Sequence, residues 1–97
     1  MTIAFISQKV QKVFSGKPVR KAYVFGSVAR NEQSLLSDLD ILVELDSTKT
    51  IGLIEYIKIQ QELELVFKIP VDMVTTDGLS PHIKPFIDRE KKQIYEA

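Results

Sequence analysis

The sequence predicts a small α/β (α+β) fold, in which a mixed β-sheet is covered by helices in the order α-β-α-β-α-β-α. Three short apolar runs, at 21–25, 38–46 and 69–74, have the length and composition of strands, and the segments around them carry apolar residues at helical spacing. The helical segment between the second and third runs makes those two strands parallel, because it forms a crossover connection. With 97 residues, 44% of them hydrophobic, we expect one domain over 1–97 with a single core.

The first half of the chain is predicted to form a helix, a strand and a short helix. Apolar residues at helical spacing mark the first helix: Ile3, Ile6, Val10, Val13 and Phe14. Gly16 suits the C-terminal cap of this helix, and Pro18 prevents its continuation. Residues 21–25 then form a short strand, 27–31 form a brief helix, and a polar loop continues through Ser37.

The second half continues as strand, helix, strand and helix. In the second strand, 38–46, alternate residues form the buried face: Leu39, Ile41, Val43 and Leu45. The longest helix ends at about Lys68, and one of its sides is apolar: Leu53, Tyr56, Ile57, Leu63 and Phe67. The third strand is 69–74, and Ser80-Pro81 begins a last helix. The inward residues of that helix are expected to be Ile83, Phe86, Ile87 and Ile94.

The composition argues against several classes of protein. The chain has no cysteine, so disulfides, thiolate zinc sites and cysteine nucleophiles are excluded. Its 13 basic and 13 acidic residues balance, whereas general nucleic-acid binders show a basic excess. No apolar run approaches the roughly 20 residues of a membrane span, and residues 1–6 lack the basic leader of a signal peptide. We therefore expect a cytoplasmic protein without a membrane or nucleic-acid partner.

Asp38 and Asp40 are the most informative pair of residues in the chain. On a strand, residues i and i+2 point the same way, so the two carboxylates share a face and repel each other unless a cation lies between them. Hard divalent cations such as Mg²⁺ prefer such oxygen ligands. Upstream, Gly26-Ser27 follows an apolar strand and begins a short helix, where backbone N–H groups can hold phosphate. Each motif alone is common turn chemistry, but together they indicate phosphoryl or nucleotidyl transfer.

Asp72 is a third carboxylate that interrupts an otherwise apolar strand. A charge there is unfavourable unless it is paired or bound to metal. If the third strand lies beside the second, Asp72 joins Asp38 and Asp40 on one face, where it could bind the catalytic metal or take a proton from the acceptor. The alternative is that Asp72 caps the strand end or forms a salt bridge with a lysine.

These residues resemble the DNA polymerase β nucleotidyltransferase superfamily. Gly26-Ser27 is followed after ten residues by Asp38-Leu39-Asp40 and later by Asp72. The short length and the Gly-Ser-x-Ala-Arg form resemble the minimal nucleotidyltransferases (MNT), the MntA-like antitoxin partners of HEPN toxins in prokaryotic toxin–antitoxin pairs. The resemblance implies a polymerase β-like fold. One departure is Asn31, where the family often has glycine, although Asn tolerates left-handed backbone geometry.

The resemblance also implies a set of roles for these residues. Gly26 and Ser27 would contact the triphosphate of ATP or another nucleoside triphosphate, and Arg30 would lie near the phosphates or brace the loop. The three aspartates Asp38, Asp40 and Asp72 would bind the Mg²⁺ ions of a two-metal site and form the catalytic trio.

We therefore expect a Mg²⁺-dependent nucleotidyltransferase that transfers a nucleoside monophosphate, AMP being favoured, to a hydroxyl of a partner protein. The chain shows no obvious second domain to bind an acceptor, so the acceptor would be a macromolecule, and the resemblance makes a HEPN toxin that partner. The alternative is a non-enzymatic antitoxin that neutralises its partner by contact alone. A small DNA-repair or RNA-tailing transferase is disfavoured because the net charge is zero.

Overall fold

A computed structural model of the chain describes residues 1–32 and 38–97. The predicted polar loop through Ser37 lies mostly outside the described residues. In chain order, the elements are α1 (Ile3–Phe14), β1 (Val19–Phe25), α2 (Gly26–Ala29), β2 (Leu39–Leu45), α3 (Leu53–Phe67), β3 (Val71–Thr75), a 3₁₀ turn (Thr76–Gly78), α4 (Lys84–Glu90) and β4 (Lys92–Glu96).

The strands form one mixed sheet in the order β3-β2-β1-β4. β2 and β3 are parallel, as the helical crossover predicted, and β1 is antiparallel to both β2 and β4. β3 is therefore an edge strand, which suits the proline that precedes it. The mixed α+β fold predicted from the sequence is confirmed. Within 1–32 and 38–97, no helix is both long and apolar enough to cross a membrane.

The fourth strand was not predicted, because its residues were assigned to the last helix. That helix ends at Glu90, and Lys91 is extended, with φ −61° and ψ 144°. Ile94 is buried as predicted, but it lies in β4, where its carbonyl accepts a hydrogen bond from the Ser7 hydroxyl at 2.8 Å. The sequence prediction failed here because Ile94 follows Ile87 at a helix-compatible interval of seven, whereas the open edge of β1 supplies hydrogen bonds that favour a strand.

The main core lies between the sheet and the two long helices. α1 packs against β4 and α3, and α3 packs against β3. The buried residues of α1 are mostly as predicted: Ile6, Val10, Val13 and Phe14. The buried side of α3 is Ile59, Leu63 and Phe67, at intervals of four residues.

Several apolar residues that were predicted to face inward are exposed. Leu53 is 74% exposed and Ile57 is 43% exposed, because the buried side of α3 passes through Ile59, which was not predicted, together with the predicted Leu63 and Phe67. On α4, Ile83 and Phe86 are also exposed, and only Ile87 of the predicted set is buried in that helix. The helical periodicity was correct in these segments, but it did not identify which apolar residues the sheet covers.

The face of β2 that carries the aspartates is polar only at its beginning. Leu42 lies on that side by strand alternation, and it is fully buried. The opposite face is as predicted, since Leu39, Ile41 and Val43 are all buried in the main core. The aspartates thus occupy the beginning of a strand that is buried on both sides further along.

Candidate active site

The register of the sheet places two of the predicted site aspartates side by side. Asp40 on β2 pairs with Asp72 on β3, and neighbouring strands are about 4.8 Å apart. Asp38 directly precedes β2, and Leu39 next to it donates its N–H to the Pro70 carbonyl at 3.0 Å, so the pairing begins at the aspartates. Asp38 and Asp72 are exposed, whereas Asp40 is half-buried. Asp40 and Asp72 therefore lie side by side on neighbouring strands, and Asp38 lies two residues before Asp40 at the same end of β2.

The pKa of Asp40 responds to both neighbouring carboxyl groups. Burial, together with the neighbouring charges of Asp72 and Asp38, raises the pKa of Asp40 from 3.8 to about 6. Arg30 lowers this pKa, but it does not reverse the effect. A carboxyl group whose ionised form is disfavoured by burial and by two other carboxylates is suited to receive a cation.

Gly26 lies in direct contact with this cluster. Its φ is +74°, a left-handed conformation that favours glycine, and a Cβ built on it would lie 2.3 Å from Oδ2 of Asp40. The contact follows from the antiparallel pairing, in which Phe25 lies opposite Asp40. The Gly-Ser turn and the aspartates, which are separate motifs in the sequence, are therefore adjacent in the fold.

The short helix α2 carries the remaining predicted residues. Ser27 is half-buried in its first turn, and its hydroxyl makes no hydrogen bond to any residue of 1–32 or 38–97. Arg30 is the C-terminal cap of α2, and its backbone N–H donates to the Gly26 carbonyl at 3.1 Å. Asn31 has φ +58°, a left-handed conformation that asparagine tolerates better than most residues.

Glu90 is a site residue that the sequence analysis missed. Its Oε1 accepts the Gly26 N–H at 2.9 Å, and its Oε2 accepts Nη1 of Arg30 at 2.9 Å. Glu32 also accepts from Arg30, through Nε at 3.2 Å. No local pattern identifies Glu90, because 64 residues separate it from Gly26 and it looks like an ordinary charged residue in a surface helix.

Tyr56 connects α3 to the strand that carries Asp72. Its hydroxyl donates to the carbonyl oxygen of Met73, the residue that follows Asp72 in β3. Burial raises the pKa of Tyr56, and the Asp72 charge raises it further. This contact attaches α3 to the edge strand, so Asp72 lies on a supported segment although its own side chain is exposed.

The donors fit a hard divalent cation, although they are not arranged as a closed metal site. Within 1–32 and 38–97, no group of three or more His, Cys, Asp or Glu residues is close enough to enclose a metal. Asp40 and Asp72 are in register on adjacent strands, so their carboxylates repel each other. A cation bound between them would remove this repulsion. Carboxylate oxygens of this kind are the ligands that Mg²⁺ uses with phosphates.

Comparison with known proteins identifies the family of this chain. The sequence profile described as polymerase beta, nucleotidyltransferase matches residues 8–97. The chain belongs to this nucleotidyltransferase family. A relative from Methanocaldococcus jannaschii, named for its inferred activity as a protein adenylyltransferase, is 38% identical over 90 residues, which cover 93% of this chain and 95% of the relative. The enzyme class predicted from the sequence, a nucleotidyltransferase, is therefore confirmed.

Solved structures confirm the polymerase β-like fold. A chain from a toxin–antitoxin crystal structure with AMP-PNP is similar with a TM-score of 0.78 at 24% identity, over 94% of this chain and 73% of that one. A chain from the structure of a tri-AMPylated HEPN toxin of Shewanella oneidensis in complex with an MNT antitoxin has a TM-score of 0.72 at 20% identity, over 99% of this chain and 74% of that one. At these identities the likeness shows the fold alone.

Proposed function

We propose that this nucleotidyltransferase transfers AMP from ATP to a hydroxyl group of a HEPN toxin, in a Mg²⁺-dependent reaction, and thereby acts as an antitoxin. The observation that supports this most directly is the pairing of Asp40 with Asp72 beside Gly26, because it places oxygen donors for a cation next to a turn suited to phosphate. The name of the Methanocaldococcus jannaschii relative and the AMPylated toxin bound to an MNT antitoxin favour AMP and a HEPN acceptor. The AMP-PNP complex favours ATP as the donor.

The residues divide into a phosphate side and a metal side. We assign the triphosphate to Gly26, Ser27 and Arg30, which lie at the first turn and at the end of α2. We assign Mg²⁺ to Asp38, Asp40 and Asp72. The bound cations would neutralise the negative charge that develops on the transferring phosphoryl group.

The reaction forms one bond and breaks one bond at the α-phosphorus. The acceptor oxygen bonds to that phosphorus, the bond to the bridging oxygen of the β-phosphate breaks, and pyrophosphate leaves. The proton of the acceptor hydroxyl needs a base, and we assign this role to Asp72, which is exposed on the edge strand where a protein acceptor can approach. A single domain over 1–97 and a cytoplasmic location complete the proposal.

The test is a transfer assay with a matched pair of variants. The protein is incubated with ATP, Mg²⁺ and a HEPN protein, and the mass of the HEPN protein is measured by mass spectrometry. We expect one or more AMP increments with the parent and with Asp77→Asn, an exposed aspartate just beyond β3. We expect none with the double variant Asp38→Asn, Asp40→Asn.

The same variants distinguish the enzyme from an antitoxin that acts by contact alone. If the double variant binds and neutralises the toxin as well as the parent does, contact is sufficient and the enzymatic proposal is wrong. A mass increment of a different nucleotide, when all four triphosphates are supplied, would contradict the assignment of AMP.

A further inference from the structure

We propose that Glu90 is a positioning residue of the nucleotide site, which holds both ends of α2 in the arrangement that receives the triphosphate. The proposal rests on the proposed function, because it assumes that Gly26 and Arg30 meet phosphate. Glu90 lies near the C-terminal end of the chain, far in sequence from both the Gly26-Ser27 turn and the aspartates.

The two oxygens of Glu90 bind the two ends of the same helix. Oε1 accepts the N–H of Gly26, the first residue of α2, and Oε2 accepts the guanidinium of Arg30, its C-terminal cap, each at 2.9 Å. α2 has only four residues and therefore little stability of its own. A carboxylate that bonds to both ends fixes the orientation of the turn and of the arginine together.

The position of Glu90 is itself fixed by the sheet. Glu90 is the last residue of α4, and β4 begins two residues later and pairs with β1, the strand that leads into Gly26. Between them, the Lys91 amine lies 4.4 Å from the centre of the Tyr23 ring on β1. The strand missed by the sequence analysis is therefore what brings Glu90 to the Gly-Ser turn.

Glu90 differs from the ordinary surface ion pairs of α4. Asp88, two residues before Glu90 in the same helix, has a 37% exposed side chain, and its ion-pair partners are the flexible amines of Lys84 and Lys91. The Glu90 side chain is 27% exposed, and one of its partners is a backbone N–H, which cannot swing away as a lysine can. The Gly26 N–H and Arg30 together lower the pKa of Glu90, so the group is a carboxylate at neutral pH.

Glu90 could also act in the opposite sense, as an internal anion that occupies donors intended for phosphate. Glu90 occupies the one N–H of Gly26, but the donor count of Arg30 favours positioning, because a guanidinium has five N–H groups and Arg30 uses one for Glu90 and one for Glu32. The remaining donors can meet a phosphate while Glu90 keeps its bond. The two interpretations predict opposite changes in nucleotide affinity when the charge is removed.

The experiment compares Glu90→Gln with Asp88→Asn, which removes the same charge from the same helix without touching α2. Binding of AMP-PNP with Mg²⁺ is measured by calorimetry, and KM and kcat are measured for ATP at a temperature where circular dichroism shows every variant folded. We expect Glu90→Gln to bind roughly tenfold more weakly and to raise KM more than it lowers kcat, since a hydrogen bond to a charged group is lost. Asp88→Asn should match the parent within twofold.

A double variant tests whether Glu90 acts through Arg30. The loss from Arg30→Ala with Glu90→Gln should be clearly smaller than the product of the two single losses, because the residues are coupled. If Glu90→Gln does not fold, Glu90→Asp, which keeps the charge but is one methylene shorter, should show an intermediate loss of affinity.

The outcomes that overturn the proposal are distinct. Unchanged affinity in Glu90→Gln removes the role of Glu90, and tighter binding shows that Glu90 competes with phosphate. A parent protein that binds no AMP-PNP overturns the proposed function, and this inference with it.

Discussion

Replacing Asp40 with asparagine should stabilise the metal-free protein at neutral and alkaline pH and have no effect below about pH 3.5. The pKa of Asp40 in the folded protein is raised from 3.8 to about 6, first by burial and then by Asp72 and Asp38. Between these two pH values the folded state binds more protons than the unfolded state, so stability falls as pH rises through the window. Asparagine has nearly the same shape and removes this penalty.

The size of the effect follows from the pKa shift. A carboxyl pKa raised from 3.8 to about 6 on folding corresponds to roughly 3 kcal/mol at most. The group is partly open to solvent, so screening reduces this value, and we expect about 1 kcal/mol. For a domain of this size, 1 kcal/mol changes the midpoint of thermal unfolding by roughly 4–8 °C.

The assay is thermal unfolding of the parent and of Asp40→Asn across a pH series, with EDTA present. The gain in Tm should be near zero at about pH 3.5, grow between about pH 4 and 6, and stay constant above about pH 7. Asp88→Asn is the matched control, because Lys84 and Lys91 lower the pKa of Asp88, and its removal should give no gain in Tm. Added Mg²⁺ should stabilise the parent more than Asp40→Asn, since the variant lacks a ligand.

A gain in Tm that is equal at all pH values would refute the reasoning. Such a result would mean that asparagine improves packing or hydrogen bonding, and that the Asp40 carboxylate is not under electrostatic strain. Equal stabilisation of both proteins by Mg²⁺ would show that the cation binds elsewhere.

Three further predictions concern the same cluster. Gly26→Ala should lower the free energy of unfolding by about 1–3 kcal/mol in chemical denaturation, because its Cβ would overlap the Asp40 carboxylate and its φ is +74°; an unchanged midpoint would contradict this. Ser27→Ala should weaken the binding of AMP-PNP measured by calorimetry, and an unchanged affinity would contradict a phosphate contact at Ser27. Binding by the parent should require Mg²⁺, and equal affinity with EDTA would contradict a metal-dependent nucleotide site. The double variant Asp38→Asn, Asp40→Asn should keep the circular dichroism spectrum of the parent while losing transfer, and loss of the folded signal would show that the carboxylates have a structural role.

Much of the fold follows from local patterns in the sequence. Strand alternation correctly gave the buried residues Leu39, Ile41 and Val43, and the crossover rule gave the parallel pairing of β2 with β3. That pairing is also what brings Asp72 to Asp40, so the proximity of the two carboxylates was predictable without coordinates.

The errors occur where distant segments decide the structure. Residues 92–96 form a strand because the edge of β1 is available, and no property of the segment itself requires this. Glu90 was missed for the same reason, since its partners are 60 and 64 residues away. The exposed Phe86 shows a related limit, because periodicity identifies an apolar side but does not show whether another element covers it.

The contact between Gly26 and Asp40 makes two positions of the chain mutationally interdependent. As long as position 40 carries this carboxylate, a side chain at position 26 would have to displace it, since its first carbon would lie 2.3 Å from Oδ2. A descendant that lost its enzymatic role could exchange Asp40 for a smaller residue, and only then would alanine at position 26 become sterically acceptable, with the left-handed φ as its remaining penalty. The order of such changes would thus be constrained, first by the carboxylate at position 40 and then by the left-handed backbone at position 26.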